Sequence, residues 1–238
     1  MRKQSEMKIQ PPSVRPNRDA GKPVSPRVRE PIGRSFGLVR GKFPSRKMGR
    51  MIHWESQLER DVVLLLEFSP GISAFREQPI RTYYSLDGNT RRYTPDFELT
   101  FHSGEIQFIE VKPLQKALDP AESHRLTTIR EHFDKSGRAF RIITETEIRQ
   151  TQLLENLRVL FRYRHAALDA FGRHRWRERF KEIDAISFDE AAVIIGGNIG
   201  VWNLIDQGIL ACDLRSAING KTDLKVIKEG EKNAERYI

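Results

Sequence analysis

The residues with the clearest chemical content lie between Tyr93 and Pro113, in the stretch YTPDFELTFHSGEIQFIEVKP. Two runs of strand character, Phe97–Phe101 and Ile106–Val111, flank His102-Ser103-Gly104. A three-residue hairpin loop needs a left-handed residue at its last position, and Gly104 takes that conformation without steric cost. Such a loop pairs Phe101 with Glu105. Counting back along both strands then sets Asp96 opposite Glu110, and directly opposed residues share a face. Glu110 and Lys112 share that face through the period of two. The hairpin therefore gathers two carboxylates and an amine at one end.

Two carboxylates held that close repel each other unless a positive charge separates them. A hard cation such as magnesium suits the position, because it takes oxygen ligands and keeps several of its waters. A divalent ion that acidifies water, set beside a lysine ammonium, equips a site to cleave a phosphodiester. Pro95-Asp96 followed by Glu110-x-Lys112 thus reads as a metal-dependent nuclease site, with a solvated sheet edge as the plain alternative. An acid-x-Lys triplet arises by chance roughly once or twice in a chain of ordinary composition. This chain has three, Glu6-Met7-Lys8, Glu110-Val111-Lys112 and Asp223-Leu224-Lys225. Only the middle one lies in an apolar strand that faces a Pro-Asp across a hairpin.

A helix must present any further ligand to that end. One begins near Trp54-Glu55-Ser56, with Ser56 as N-cap and Leu58, Val62, Leu65, Leu66 and Phe68 on the buried side. Pro70-Gly71 stops it. Glu59 has two readings. It completes a Ser-x-x-Glu capping box, bonded back to the Ser56 backbone, or it points at the carboxylate end of the hairpin as a ligand. Glu55 is its rival for either role.

The surrounding elements follow in chain order. Ser73–Gln78 leads into a short strand, Ile80–Ser85; Asp87-Gly88 turns the chain, and Thr90–Tyr93 enters the hairpin. Ala121–Lys135 reads as an amphipathic helix with Leu126, Ile129 and Phe133 inward and Gly137 as its stop. Ala139–Thr144 is a buried strand, and Glu147–Tyr163 a further helix. Helix, three strands, helix, strand is an α/β sandwich with a mixed sheet ending near residue 150.

Charge divides the chain unevenly. The 238 residues carry a net charge of +9. Residues 1–50 hold 14 Lys and Arg against Glu6, Asp19 and Glu30, and seven of the twelve prolines. Such a segment buries too little apolar surface to offset its chain entropy and is expected to be a mostly disordered basic arm. It reads as an arm that contacts nucleic acid through phosphates or as a tail that only keeps the protein soluble, and its last part, Phe36 to Met48, as a piece that orders against a partner or DNA. Beyond it we expect a nuclease domain over 51–150, a basic helical connector over 151–182 and a small domain over 183–238. The connector (RYRH, GRHRWRERFK) surrounds Phe171, Trp176 and Phe180, and reads equally as a DNA contact or a solvated face. His165 and His174 have no cysteine pair nearby, which argues against zinc.

In the last segment Ser187 caps a helix, Gly196-Gly197-Asn198 turns, and Ile199–Gln207 forms a second helix. Leu214 to Val226, with Asn219-Gly220 as a hairpin turn, completes a helix-turn-helix with a wing. Its composition is not basic, so protein docking, through residues such as Trp202 and Leu204, is at least as good a reading as DNA contact. Cys212 is the one cysteine, which excludes an intramolecular disulfide and suits a reducing cytoplasm. No apolar run reaches membrane-spanning length, and the N-terminus lacks the apolar stretch of a secretory signal.

With these residues laid out, the chain resembles the TnsA family of transposon endonucleases from about Trp54 to Leu160. The likeness is carried by SQLERDVVLLLEF, Arg76-Glu77-Gln78-Pro79, Tyr93-Thr94-Pro95-Asp96-Phe97, Ile109-Glu110-Val111-Lys112-Pro113 and Ile142-Ile143-Thr144-Glu145. The resemblance implies a restriction-endonuclease-like PD-(D/E)xK core and a winged-helix-like C-terminal domain. It places the metal ligands on Glu59, Asp96 and Glu110 and the catalytic lysine on Lys112, with Gln78 supporting them from behind. It implies Mg2+, with Mn2+ as a substitute, and double-stranded transposon-end DNA as substrate. In the family this subunit cuts the 5′ ends, a TnsB-like transposase acts on the 3′ ends, and a TnsC-like ATPase binds the C-terminal part. The same residues also fit a stand-alone restriction or repair nuclease of that fold. A non-catalytic DNA-binding adaptor fits less well, because the four site residues are all intact.

Overall fold

The computed structural model of the chain describes residues 39–164 and 168–228, together with 231 and 237. Most of the expected basic arm and His165 lie outside the described residues.

The first described element is one that composition did not reveal. β1 (Gly41–Ser45) and β2 (Arg50–Trp54) form an antiparallel hairpin in which Phe43 faces Ile52. Both side chains are buried, so the end of the basic stretch is ordered by two apolar residues at matched register rather than left irregular. Gly41 is required here, because a Cβ would sit 2.2 Å from the Trp54 ring.

α1 (Gln57–Phe68) follows with Ser56 as its N-cap, as expected. It is buried on nearly every side through its middle, since the hairpin, the sheet and a later helix all pack on it. β3 (Ile72–Glu77) comes next and is a strand of the main sheet, where the sequence reading had only a lead-in. The Ile80–Ser85 run falls instead on β4 (Thr82–Leu86), which pairs with β5 (Asn89–Tyr93) as a separate ribbon. The expected and observed strands differ because Ser73 and Arg76 interrupt the apolar run of β3, while the tyrosines of β4 imitate a core strand.

β6 (Phe97–Phe101) and β7 (Ile106–Val111) are the hairpin read from the sequence. Phe97 pairs with Ile109 and Thr100 with Ile106, and the Phe101 N–H donates to the Glu105 carbonyl at 2.9 Å. Gly104 adopts φ +86°, which its place in the loop demands. A short α2 (Leu114–Ala117) leads to α3 (Pro120–Lys135), capped by Asp119 with Pro120 at its first turn. β8 (Ala139–Ile143) then pairs parallel to β7.

The sheet order is β3-β6-β7-β8, antiparallel except for the last pair, and the sheet is therefore mixed. Period-two alternation gives it two apolar faces. Phe97, Leu99, Phe101, Ile109 and Val111 face the cluster around α1. Phe108 and Phe140 face a second cluster with Ile129, Phe133, Tyr84 and Tyr93, beneath α3 and the ribbon.

The expected single helix over 147–163 is two, α4 (Glu145–Ile148) and α5 (Thr151–Tyr163). α6 (Ala170–Phe180) continues the connector, with Phe180 fully buried and Phe171 exposed. Arg164 of the RYRH run is not on a DNA-facing surface. Its guanidinium bonds Glu67 at 2.8 Å and lies over the Phe161 ring.

The C-terminal unit comprises β9 (Ala185–Ser187), α7 (Phe188–Ile195), α8 (Asn198–Asp206), β10 (Leu210–Ala211) and β11 (Asp223–Val226). Its sheet order is β10-β11-β9. Ser187 and Glu190 form a full capping box on α7. Asn219-Gly220 does not close a tight hairpin. It lies in the long loop between β10 and β11, docked on α7 by the Asp189 N–H donating to the Gly220 carbonyl. Trp202 and Leu204 are buried rather than available for docking, with Trp202 edge-on to Phe188. α8 packs on α5, and the buried residues of both units run into one continuous apolar cluster.

Candidate active site

The hairpin register extends one residue past β6 and brings Asp96 opposite Glu110. The Asp96 N–H donates to the Ile109 carbonyl at 3.1 Å, and the Asp96 carbonyl accepts from the Gln78 N–H at 2.8 Å. Asp96 is thus held on both sides by strand pairing. Its side chain accepts one hydrogen bond among the described residues, from the Val111 N–H at 2.7 Å. Protein crowds the carboxylate, and that burial, with the Glu110 and Glu59 charges, pushes its pKa well above the usual carboxylate range. The Val111 N–H and Lys112 oppose the shift without cancelling it.

Glu110 is buried and held at both oxygens. The Tyr93 hydroxyl donates to Oε2 at 2.7 Å, and the Lys112 ammonium lies 3.0 Å from Oε1. Lys112 also reaches Glu122 of α3 at 3.3 Å. Burial alone would lower the lysine pKa, but Glu110 and Glu122 outweigh it and hold the ammonium above its usual value. Glu122 is clamped by Arg125 through two bonds of 2.8 and 2.7 Å. That clamp is the first reason its pKa drops to about 2. Arg125 itself approaches Glu110 at 3.8 Å.

Glu59 enters from the first turn of α1. Its Oε2 accepts from the Glu55 N–H at 2.8 Å, and its Oε1 from the Ser56 hydroxyl at 3.0 Å. The cap therefore closes on Glu55, one residue earlier than a Ser-x-x-Glu capping box would place it. Burial raises the Glu59 pKa first; those two bonds oppose it, and the Glu55 and Glu110 charges add to it. Glu59, Asp96 and Glu110 thus act on one another electrostatically. Glu55 instead accepts from the Gln78 amide at 3.2 Å. Gln78 stands in the left-handed region at φ +46°, which a β-extended strand end would not require. That turn lets its backbone hold Asp96 while its side chain reaches Glu55.

Asp96 and Glu110 open onto a cavity of about 300 Å³, also lined by Arg81, Arg92, Tyr93, Thr94 and Arg125. Carboxylates form the floor and guanidiniums the walls, which suits a phosphate approaching a cation. Among the described residues no group of three or more His, Cys, Asp or Glu side chains is placed to hold a metal ion. The donor set still has the chemistry of a hard divalent ion. Its carboxylates repel each other, Asp96 has acceptor capacity left, and an ion that keeps several waters needs only a few protein oxygens.

Sequence reading brought Asp96, Glu110 and Lys112 together correctly and put Glu59 and Gln78 around them. It missed Tyr93 as a partner of Glu110, although Tyr93 sits in the same motif. It also missed Glu122 and Arg125. Their spacing of three on a helix was visible, but only the parallel crossover from β7 to β8 sets α3 against Lys112.

The mixed sheet thus presents two opposed carboxylates and a lysine at one end. Residues 69–145 match the family model described as TnsA-like endonuclease N terminal. The match spans 77 of the 238 residues and gives that region as a TnsA-like endonuclease domain. The matched region contains Gln78, Asp96, Glu110 and Lys112, while Glu59 and the C-terminal unit lie outside it. No curated protein matches the chain. Among the described residues no helix is long and apolar enough to cross a membrane.

Proposed function

We propose that the chain is a magnesium-dependent DNA endonuclease that cuts the 5′ ends of a transposon as one subunit of a heteromeric transposase. The core would be a PD-(D/E)xK nuclease, with Glu59, Asp96 and Glu110 as ligands and Lys112 as the catalytic amine. The carrying observation is the direct opposition of Asp96 and Glu110, with Lys112 3.0 Å from Glu110. When bound, Mg2+ or Mn2+ would supply positive charge to the scissile phosphate and acidify water.

The chain's own residues do the positioning. The Val111 N–H and Tyr93 hydroxyl orient the two carboxylates, and Glu122 helps to hold Lys112 against Glu110. Lys112 stays protonated there and offers its ammonium to a phosphate oxygen as charge develops. Arg81, Arg92 and Arg125 would receive neighbouring phosphates. The C-terminal helices and three-stranded sheet suit a winged-helix-like module that docks a TnsC-like ATPase, with a TnsB-like transposase acting on the other strand.

The test is strand cleavage of transposon-end DNA in magnesium, by the chain alone and with its partner set. Cleavage that needs partners supports the heteromeric reading. Site-specific cutting by the lone chain would favour a stand-alone nuclease.

A further inference from the structure

A second charged cavity lies on α1, around the helix from Glu59. Asp61 is buried at 3% exposure and is met by three guanidiniums. Arg60 and Arg158 reach Oδ1 at 3.1 and 3.4 Å, and Arg149 reaches Oδ2 at 3.2 Å. One bidentate arginine would satisfy a buried carboxylate. Here three share it, each with a single contact and a side chain 44–50% exposed. Each guanidinium carries five N–H donors, so most of them point into open space. The cavity they line is about 290 Å³. Three cations against one carboxylate leave it positive.

The helices around it add to that field. Asp61 and Gln57 at the start of α1 lie beside Thr151 and Leu154 at the start of α5. At the other end, Glu67 of α1 meets Arg164, which follows α5. The two helices therefore run side by side in the same direction, with their N-terminal ends together. α5 has no side-chain cap bond and no acid in its first turn, so nothing on the helix itself offsets its positive end. These first turns lie at the same end of the domain as Glu59 and the candidate active site.

We infer that Arg60, Arg149 and Arg158 form a binding site for a phosphate of the DNA backbone, beside the cutting site and separate from it. The choice of DNA over an acidic protein segment rests on the nuclease reading of the Asp96–Glu110 end, since α1 carries both sites within one turn. A duplex lying at the cavity floor would cross the first turn of α1 and set a flanking phosphate among the arginines. Asp61 holds them in place and is not displaced, because it is buried beneath them.

The test uses the full chain and a non-specific duplex, with affinity followed against salt by fluorescence anisotropy in EDTA. The double variant Arg149→Gln/Arg158→Gln should lose about ten- to a hundredfold in affinity near 0.1 M salt, with a salt slope shallower by about 2. Asp96→Asn, measured the same way, should bind as tightly as the parent. Loss of cleavage in Asp96→Asn speaks only to the nuclease reading, whereas loss of binding in the arginine variant speaks to this site. An arginine variant that melts as a folded protein and keeps the parent's affinity and salt slope would overturn the assignment. So would one that keeps duplex binding but loses a poly-glutamate peptide, because the pocket would then take an acidic protein.

Discussion

Carboxylates on this domain are treated in two opposite ways. Glu67 and Glu77 are surrounded by donors. Glu67 accepts from the Ser45 hydroxyl, the Arg46 and Lys47 backbone N–H groups and the Arg164 guanidinium. Glu77 takes both Arg50 nitrogens, at 3.0 and 2.7 Å, and the His53 N–H. Burial would raise the Glu77 pKa, but the Arg50 bonds and the backbone N–H groups outweigh it and hold it below the usual range. Asp96 has one backbone N–H and two acidic neighbours, and its pKa goes well up. A carboxylate that holds a hairpin in place is fully paired. Asp96, a ligand in the proposed nuclease site, is left with a repulsion the protein does not balance.

The largest effect that tests this contrast is at Asp96. Asp96→Asn should reduce cleavage at least a thousandfold while leaving the fold intact. The two sets should also differ in how stability follows pH. A carboxylate whose pKa is raised on folding disfavours the folded state as pH climbs through that raised value. Without metal, Asp96 should therefore lower the parent's melting temperature as pH rises above the ordinary carboxylate range, and Asp96→Asn should remove that contribution and melt higher at pH 8. Glu77 has the opposite sign, giving stability above its unfolded pKa that is lost as pH drops through the lower folded one. A parent more stable at pH 8 than its Asp96→Asn variant would break the comparison.

Next in size is the choice between the two glutamates of α1. Glu59→Gln can still accept from the Glu55 N–H through its amide oxygen, while its NH2 donates to the Ser56 hydroxyl oxygen. It should remain folded, within about 1 kcal/mol of the parent by the usual size of cap effects, and lose cleavage. Glu55→Gln should cleave. The reverse pattern in a nicking assay would move the ligand to Glu55.

The paired set predicts a stability loss with no specific loss of chemistry. Glu67→Ala leaves Arg164 buried without its partner, which costs about 3–5 kcal/mol. Urea unfolding should report it, and cleavage per folded molecule should stay near the parent's. The smallest effect is at Tyr93, where Tyr93→Phe removes one hydrogen bond to a charged acceptor. Cleavage should drop by about tenfold, matching ~1.5 kcal/mol, with little change in melting. A Tyr93→Phe variant as dead as Asp96→Asn would make the hydroxyl part of the chemistry rather than an aid to Glu110.

The sequence by itself determined the central hairpin and its register. Gly104 fixes the loop, the loop fixes the pairing of Phe101 with Glu105, and a period of two then carries Asp96 to Glu110. The N-caps at Ser56 and Ser187 were legible for the same reason, being local bonds within a few residues. Contacts between residues far apart in sequence were not. The β1–β2 hairpin was hidden because Phe43 and Ile52 are its only buried apolar residues and its basic residues mask them. β3 and β4 exchanged roles because Ser73 and Arg76 break the apolar run of β3, and only long-range pairing with β6 brings it into the main sheet. Lys112, Glu122 and Arg125 meet because a parallel crossover must return α3 over the sheet. The three arginines at Asp61 come from α1, from the residue just after α4, and from α5. No spacing in the sequence relates them; only the packing of α5 beside α1 brings them to one carboxylate.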